Sequence, residues 1–294
     1  MNDLLAKADI ERISMQVLRG SKSLDIFPTP VEKIVQYAEL VVNGNVDISK
    51  VHATYMDRAN EFLRSGLAKV RGIFDTRKRV IYLDLSQNSN RKNFVTLHET
   101  AHGILPWQRG VHQIIGDNDL TLSLDQAEEF EAEANYFASI TLFQQDRFSD
   151  QLSKLALEIN SAMYLANYFG ASVHAALRRY IDCSKNRCAL IILEGLDISG
   201  CKCDVRNFLT SSSFSREFGH VDFPKVLDKS WPFVQDYMAG RRFKKDGRLV
   251  YRSGEGDIDF SYQFFDNTYN AFVFLYPVGE ANKTKVTIAL RGVE

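Results

Sequence analysis

The sequence predicts an α+β protein, mostly helical in its N-terminal part and β-rich in its C-terminal part. Three observations carry this. Apolar residues recur at helical spacing through much of the first 180 positions. Two short β-branched or aromatic runs, RGIFD and RVIYLDL, interrupt them around the charged TRK, which reads as a hairpin. From Cys188 onward the runs CALIILEG, VDFPKVL, RLVYRS, DIDFSYQFF, NAFVFLYPV and TKVTIALRG have strand length, with Pro, Gly and Asn between them.

At 294 residues the chain is long enough for two domains, at about 150 residues each. Its 45% apolar and 25% charged residues are the balance of an ordinary globular protein. Basic and acidic residues nearly cancel, 36 against 37, which disfavours a strongly basic nucleic-acid binder. The N-terminus carries acids among its apolar residues and does not read as a signal peptide. No apolar stretch approaches the ~20 residues of a spanning helix, so the expectation is a cytoplasmic chain with no membrane partner.

In order, Leu4 to Leu18 are spaced for a first helix, and Pro30 can open a second with Ile34, Val35, Ala38 and Leu40. Residues 45–70 read ambiguously as a further helical stretch. After the hairpin, SQNSN can cap a helix from about Arg91 to Leu105, stopped by Gly103 and Pro106. A long acidic, then Ala-rich helix spans 125–143, and a polar break around 146–150 precedes helices reaching Ile181. The implied organisation is 1–145, a helical connector 146–183, and a β-rich domain 184–294.

The chemistry-bearing motif is His98-Glu99-Thr100-Ala101-His102. Four residues apart on a helix, the two imidazoles share a face and can grip one ion. Neutral imidazoles suit zinc in a site that keeps one open position. Glu99 follows the first ligand directly, where it can take a proton from a metal-activated water and return it to a leaving amine. Two ordinary histidines flanking a solvated Glu would give the same letters, so a third ligand matters. EEFEAEANYFAS offers Glu128, Glu129, Glu131 and Glu133. Only Glu131 with Asn135, again four apart, supplies both a ligand and a partner to orient an imidazole. The plain alternative is an acidic run that complements a helix N-terminus.

HETAH followed by E-x-E-A-N-x-F-A resembles the ImmA/IrrE family of zinc metallopeptidases, which are gluzincin-like HExxH enzymes. The strands RGIFD and RVIYLD and the segment LANYFGASVHAALRRY (165–180) are similar to that family's as well. The resemblance spans roughly residues 10–180. It implies a zincin-like N-terminal domain with His98, His102 and Glu131 as ligands of one Zn²⁺ per chain and Glu99 as the catalytic residue. It also implies a protein substrate, an Xre-type transcriptional repressor encoded nearby, cleaved in a mobile-element or stress response. The N-terminal helices read straight into the protease, as in a standalone member without an Xre domain. ITLFQQDRF lacks the proline of the relatives' corresponding stretch, which bears on the cleft wall. IrrE-like relatives carry a GAF-like sensor domain, so 184–294 is read as a sensor or docking domain.

Three features have competing readings. LANYFGAS with Gly170 resembles half of a helix-turn-helix, with Arg178 and Arg179 placed for phosphates, but helix–Gly–helix is also a common packing unit. Cys183, Cys188, Cys201 and Cys203 can supply thiolates to a structural metal, or be ordinary reduced cysteines. The basic run Arg241 to Lys245 reads as a solvated turn. Candidates for an extra oxyanion donor are Tyr82, His112 and Tyr136. Against the peptidase stand a non-catalytic regulator binding a repressor or DNA, and a toxin–antitoxin-type partner.

Overall fold

A computed structural model of the chain describes residues 6–44, 72–83, 89–111, 124–197, 200–219, 221, 223–253 and 256–282. The expected helix within 45–70, the strand TKVTIALRG and His112 lie outside the described residues. The chain divides into two compact units, residues 1–151 with 164–176, and residues 152–163 with 177–294. Among the described residues no helix is long and apolar enough to cross a membrane.

In the first unit, α1 (Lys7–Gly20) buries Ile10, Ile13, Val17 and Leu18, the spacing of one helical face, and packs against α4 (Leu124–Leu142). From α4 come Ala134, Phe137 and Ala138, with Thr141 donating to Ser14 Oγ at 2.9 Å. Each fully buried Ile, Leu or Phe in this seam contributes about 1.5–3 kcal/mol. Helix α2 (Val31–Tyr37) stops before Leu40, which leads instead into β1 (Val41–Asn43). The expected hairpin forms from β2 (Gly72–Asp75) and β3 (Val80–Leu83), antiparallel with Phe74 opposite Ile81. β1 joins β3 in parallel, so among the described residues the sheet order is β1-β3-β2, with β2 at one side.

Helix α3 (Ser89–Ile104) lies on this sheet. Gly103 does not stop it. A Cβ there would come within 2.9 Å of Phe74 and 3.1 Å of Leu40, so the glycine allows close approach of helix and sheet. The polar stretch expected as a break is a helix, α5 (Asp146–Leu152), because Phe148 and Leu152 give it a buried side. Gln144, in the left-handed region at φ 49°, anchors the junction. It accepts from the Asp25 N–H at 2.7 Å and donates to the Ile26 carbonyl at 2.9 Å. Gly170, with φ 72°, makes the turn between α6 (Ile159–Phe169) and α7 (Val173–Cys183). Asn93 of α3 donates to its carbonyl at 2.8 Å.

Among its described residues the second unit holds an antiparallel six-stranded sheet of order β6-β5-β4-β9-β8-β7. Its strands are β4 (Ala189–Leu196), β5 (Lys202–Thr210), β6 (Val226–Asp228), β7 (Phe243–Ser253), β8 (Gly256–Asp266) and β9 (Ala271–Pro277). β9 is buried on both faces, which explains its unbroken apolar sequence. One face packs Ile191, Tyr262 and Val273 against Phe214 of α8 (Ser212–Phe218) and Phe233 of α9 (Pro232–Met238). On the other, Tyr180 meets Phe274 edge-on at 5.3 Å, and Gln263 accepts from the Ile159 N–H at 2.7 Å.

The basic run is exposed, as expected, with the Arg241, Arg242 and Lys245 side chains 50%, 60% and 63% exposed, but it is not wholly a turn. It enters β7, and its charges are used: Arg241 and Lys244 pair with Asp236, and Arg242 pairs with Asp266. Asp236 is buried and also accepts from the Tyr262 hydroxyl at 2.7 Å.

Candidate metal centre

Helix geometry places His98 and His102 one turn apart on α3, and α4 packs alongside it to deliver Glu131. The two Nε2 atoms are 3.3 Å apart. Glu131 reaches both, with one oxygen 3.2 Å from His98 Nε2 and the other 3.6 Å from His102 Nε2. Among the described residues these three form the group able to hold a metal ion, with ligand atoms all within 4.8 Å of one another. Two imidazoles and a carboxylate are a donor set that suits a divalent transition metal.

The electrostatics fit a cation. Burial works against protonating His98, but the bonded Glu131 and the nearby Glu99 outweigh it and hold its pKa above the ordinary value. Glu99 is buried beside the pair, and desolvation pushes its carboxyl up to about 7, with His98 acting in the opposite direction. A backbone hydrogen bond at Phe74 of β2 also holds Glu99.

Both imidazoles are gripped from behind. His98 Nδ1 lies 3.2 Å from Asn135 Oδ1, the partner expected from the sequence. His102 Nδ1 lies 2.8 Å from Gln108 Oε1, which sequence reasoning did not assign. Gln108 stands six residues after His102, in a helical turn at 106–111 that begins at Pro106. Its amide donates to Glu133 at 2.6 Å and to the Phe130 carbonyl at 3.1 Å. Glu133, one of the four acidic candidates, is therefore buried behind the site, while Glu131 faces it. The remaining signal was the two-residue offset, which turns one Glu of α4 outward and the next inward.

Tyr136, a candidate oxyanion donor, spends its hydroxyl on Glu11 of α1. Tyr82 lies half-buried on β3. The cysteines do not converge, and none of the four is in a disulfide. Cys188 lies beside Ser211 at one end of the β4–β5 ladder, whereas Cys203 pairs with Leu196 at the other. At about 3.3 Å per residue, these positions are roughly 25 Å apart along the ladder.

Residues 60–180 match the Peptidase M78 family model, described as the IrrE N-terminal-like domain. That span contains the whole His98–His102–Glu131 group, Glu99, Gln108, Glu133 and Asn135. No curated protein matches the sequence. A solved structure, a Mycobacterium tuberculosis transcriptional regulator, resembles the chain with a TM-score of 0.58 at 12% identity, over 97% of this chain and 80% of its own. At that identity the likeness is one of fold.

Proposed function

From the match of residues 60–180 to the IrrE N-terminal-like family model, we propose that the chain is an ImmA/IrrE-type zinc-dependent endopeptidase whose substrate is a regulatory protein, an Xre-type repressor. The observation that carries this reading is the convergence of His98, His102 and Glu131 with a buried Glu99 adjoining them. The three donors alone also suit iron(II). A carboxylate following the first histidine favours zinc hydrolysis.

When bound, the ion would polarise the scissile carbonyl and lower the pKa of a water molecule. The chain's own residues do the rest. Glu99, largely shielded from solvent and with its pKa near 7, is suited to take a proton from the attacking water and to return it to the leaving amine. His98 and His102 are oriented by Asn135 and Gln108. In this reading residues 1–145 carry the chemistry, 146–183 form a helix-turn-helix-like connector, and 184–294 serve as a GAF-like sensor or docking domain.

The test is cleavage of Xre-type repressors encoded beside the gene, by the full chain and by Glu99→Gln. The expected result is cutting by the native protein alone. Equal cutting by both would remove Glu99 from the chemistry. Biological activity that survives His98→Ala would favour a non-catalytic regulator.

A further inference from the structure

We propose that Glu133, acting through Gln108, is a positioning residue that holds His102 with its proton on Nδ1 and its Nε2 lone pair directed at the metal. The inference rests on the metallopeptidase reading for its purpose, but its geometry stands separately.

The argument runs through donors and acceptors. A glutamine amide has one accepting end and one donating end. Glu133 Oε2, 2.6 Å from Gln108 Nε2, and the Phe130 carbonyl oxygen, 3.1 Å away, can only accept from it. The nitrogen of Gln108 must therefore face them, and its oxygen must face His102. An amide oxygen cannot donate, so the hydrogen in the 2.8 Å contact with His102 Nδ1 belongs to the imidazole. In a neutral ring with Nδ1 protonated, Nε2 is left as a lone pair. That is the atom that lies 3.3 Å from His98 Nε2 and 3.6 Å from Glu131.

Burial makes the arrangement rigid. Gln108 is fully buried and Glu133 is 3% exposed, while Glu131 lies on the open side. Trp107 Nε1 donates to the same Glu133 oxygen at 2.7 Å, fixing that carboxylate from a second direction. Burying a carboxylate is costly unless its oxygens are bonded. A chain that only needed to tie the 106–111 turn to α4 could do so with apolar contacts. The two imidazoles are thus held differently, His98 by an exposed asparagine and His102 by a buried relay.

The experiment has a part that needs no variant and no metal. In the metal-free full chain, ¹⁵N shifts of the histidine ring nitrogens should show His102 protonated at Nδ1. A proton on Nε2 instead would overturn the proposal. Zinc affinity, measured by chelator competition, supplies the second part. Gln108→Leu and Glu133→Ala should each weaken it by about 10–100-fold, the usual effect of losing an orienting partner. Glu133→Gln keeps an accepting oxygen and should stay within about threefold of the native protein. Native-like affinity in both truncations, with folding verified by circular dichroism, would overturn the proposal. So would an equal loss in Glu133→Gln. If the native chain binds no zinc, the peptidase reading fails instead, and the ring-nitrogen shifts still decide the proposal.

Discussion

Gly72 of β2 lies flush against Glu99 of α3. A Cβ at position 72 would come within 3.0 Å of Glu99 Cγ and 2.7 Å of Val95 Cγ1. Val95 is β-branched and stiff in a helix, so the Glu side chain is the partner that would move. On the proposed peptidase reading, Gly72→Ala is expected to lower kcat by about 10–100-fold, because a small misplacement of the proton-transferring group is expensive. Metal content should be unchanged, since the atoms nearest a Cβ at position 72 belong to Val95 and Glu99 and not to His98, His102 or Glu131. Single-turnover kinetics alongside metal analysis checks both halves.

Glu131 is the member of the candidate triad that lies outside α3, yet its side chain is 61% exposed. Glu131→Ala should therefore leave the metal-free fold within about 0.5 kcal/mol of native. It should also abolish stabilisation by zinc. At a free ion concentration 1,000 times Kd the native chain gains about 4 kcal/mol, visible as a raised melting temperature. The dispersed thiols predict one metal per chain, retained after Cys201 is alkylated. Burial pushes Cys188 and Cys203 up to about 11, so they should label only on unfolding. A second bound metal, lost on alkylation, would contradict this.

Tyr262 titrates against the fold. Burial, and then its hydrogen bond to Asp236, push its phenol up to about 12 from an ordinary 10, with Lys244 partly opposing. The folded state thus holds this proton more tightly than the unfolded chain. The resulting stability is fully present below pH 10 and is lost as pH rises from about 10 toward 12. Urea denaturation across that range should show a steeper fall for the native protein than for Tyr262→Phe. Equal slopes would mean that the hydroxyl is not held as described.

Much of the fold was legible as periodicity. The α1 face, the β2–β3 hairpin and the continuous run of β9 were written in local patterns that burial then used. β5 was not, because in KCDVRNFLT the polar and apolar residues do not alternate cleanly and the strand is mostly half-exposed. Nor was α5, whose polar letters conceal Phe148 and Leu152 on one buried side.

The sequence by itself narrowed the candidates for meeting a metal to HETAH and the acidic run of α4. Spacing of four along a helix is a local property, so His98 with His102, and Glu131 with Asn135, follow from the chain alone. Only the tertiary structure decided how α4 lies on α3. That packing turns Glu131 toward the imidazoles and Glu133 behind Gln108, and seats Glu99 against Gly72. The physical reason is that a hydrogen bond or a close approach depends on distances between segments, and sequence separation does not encode them.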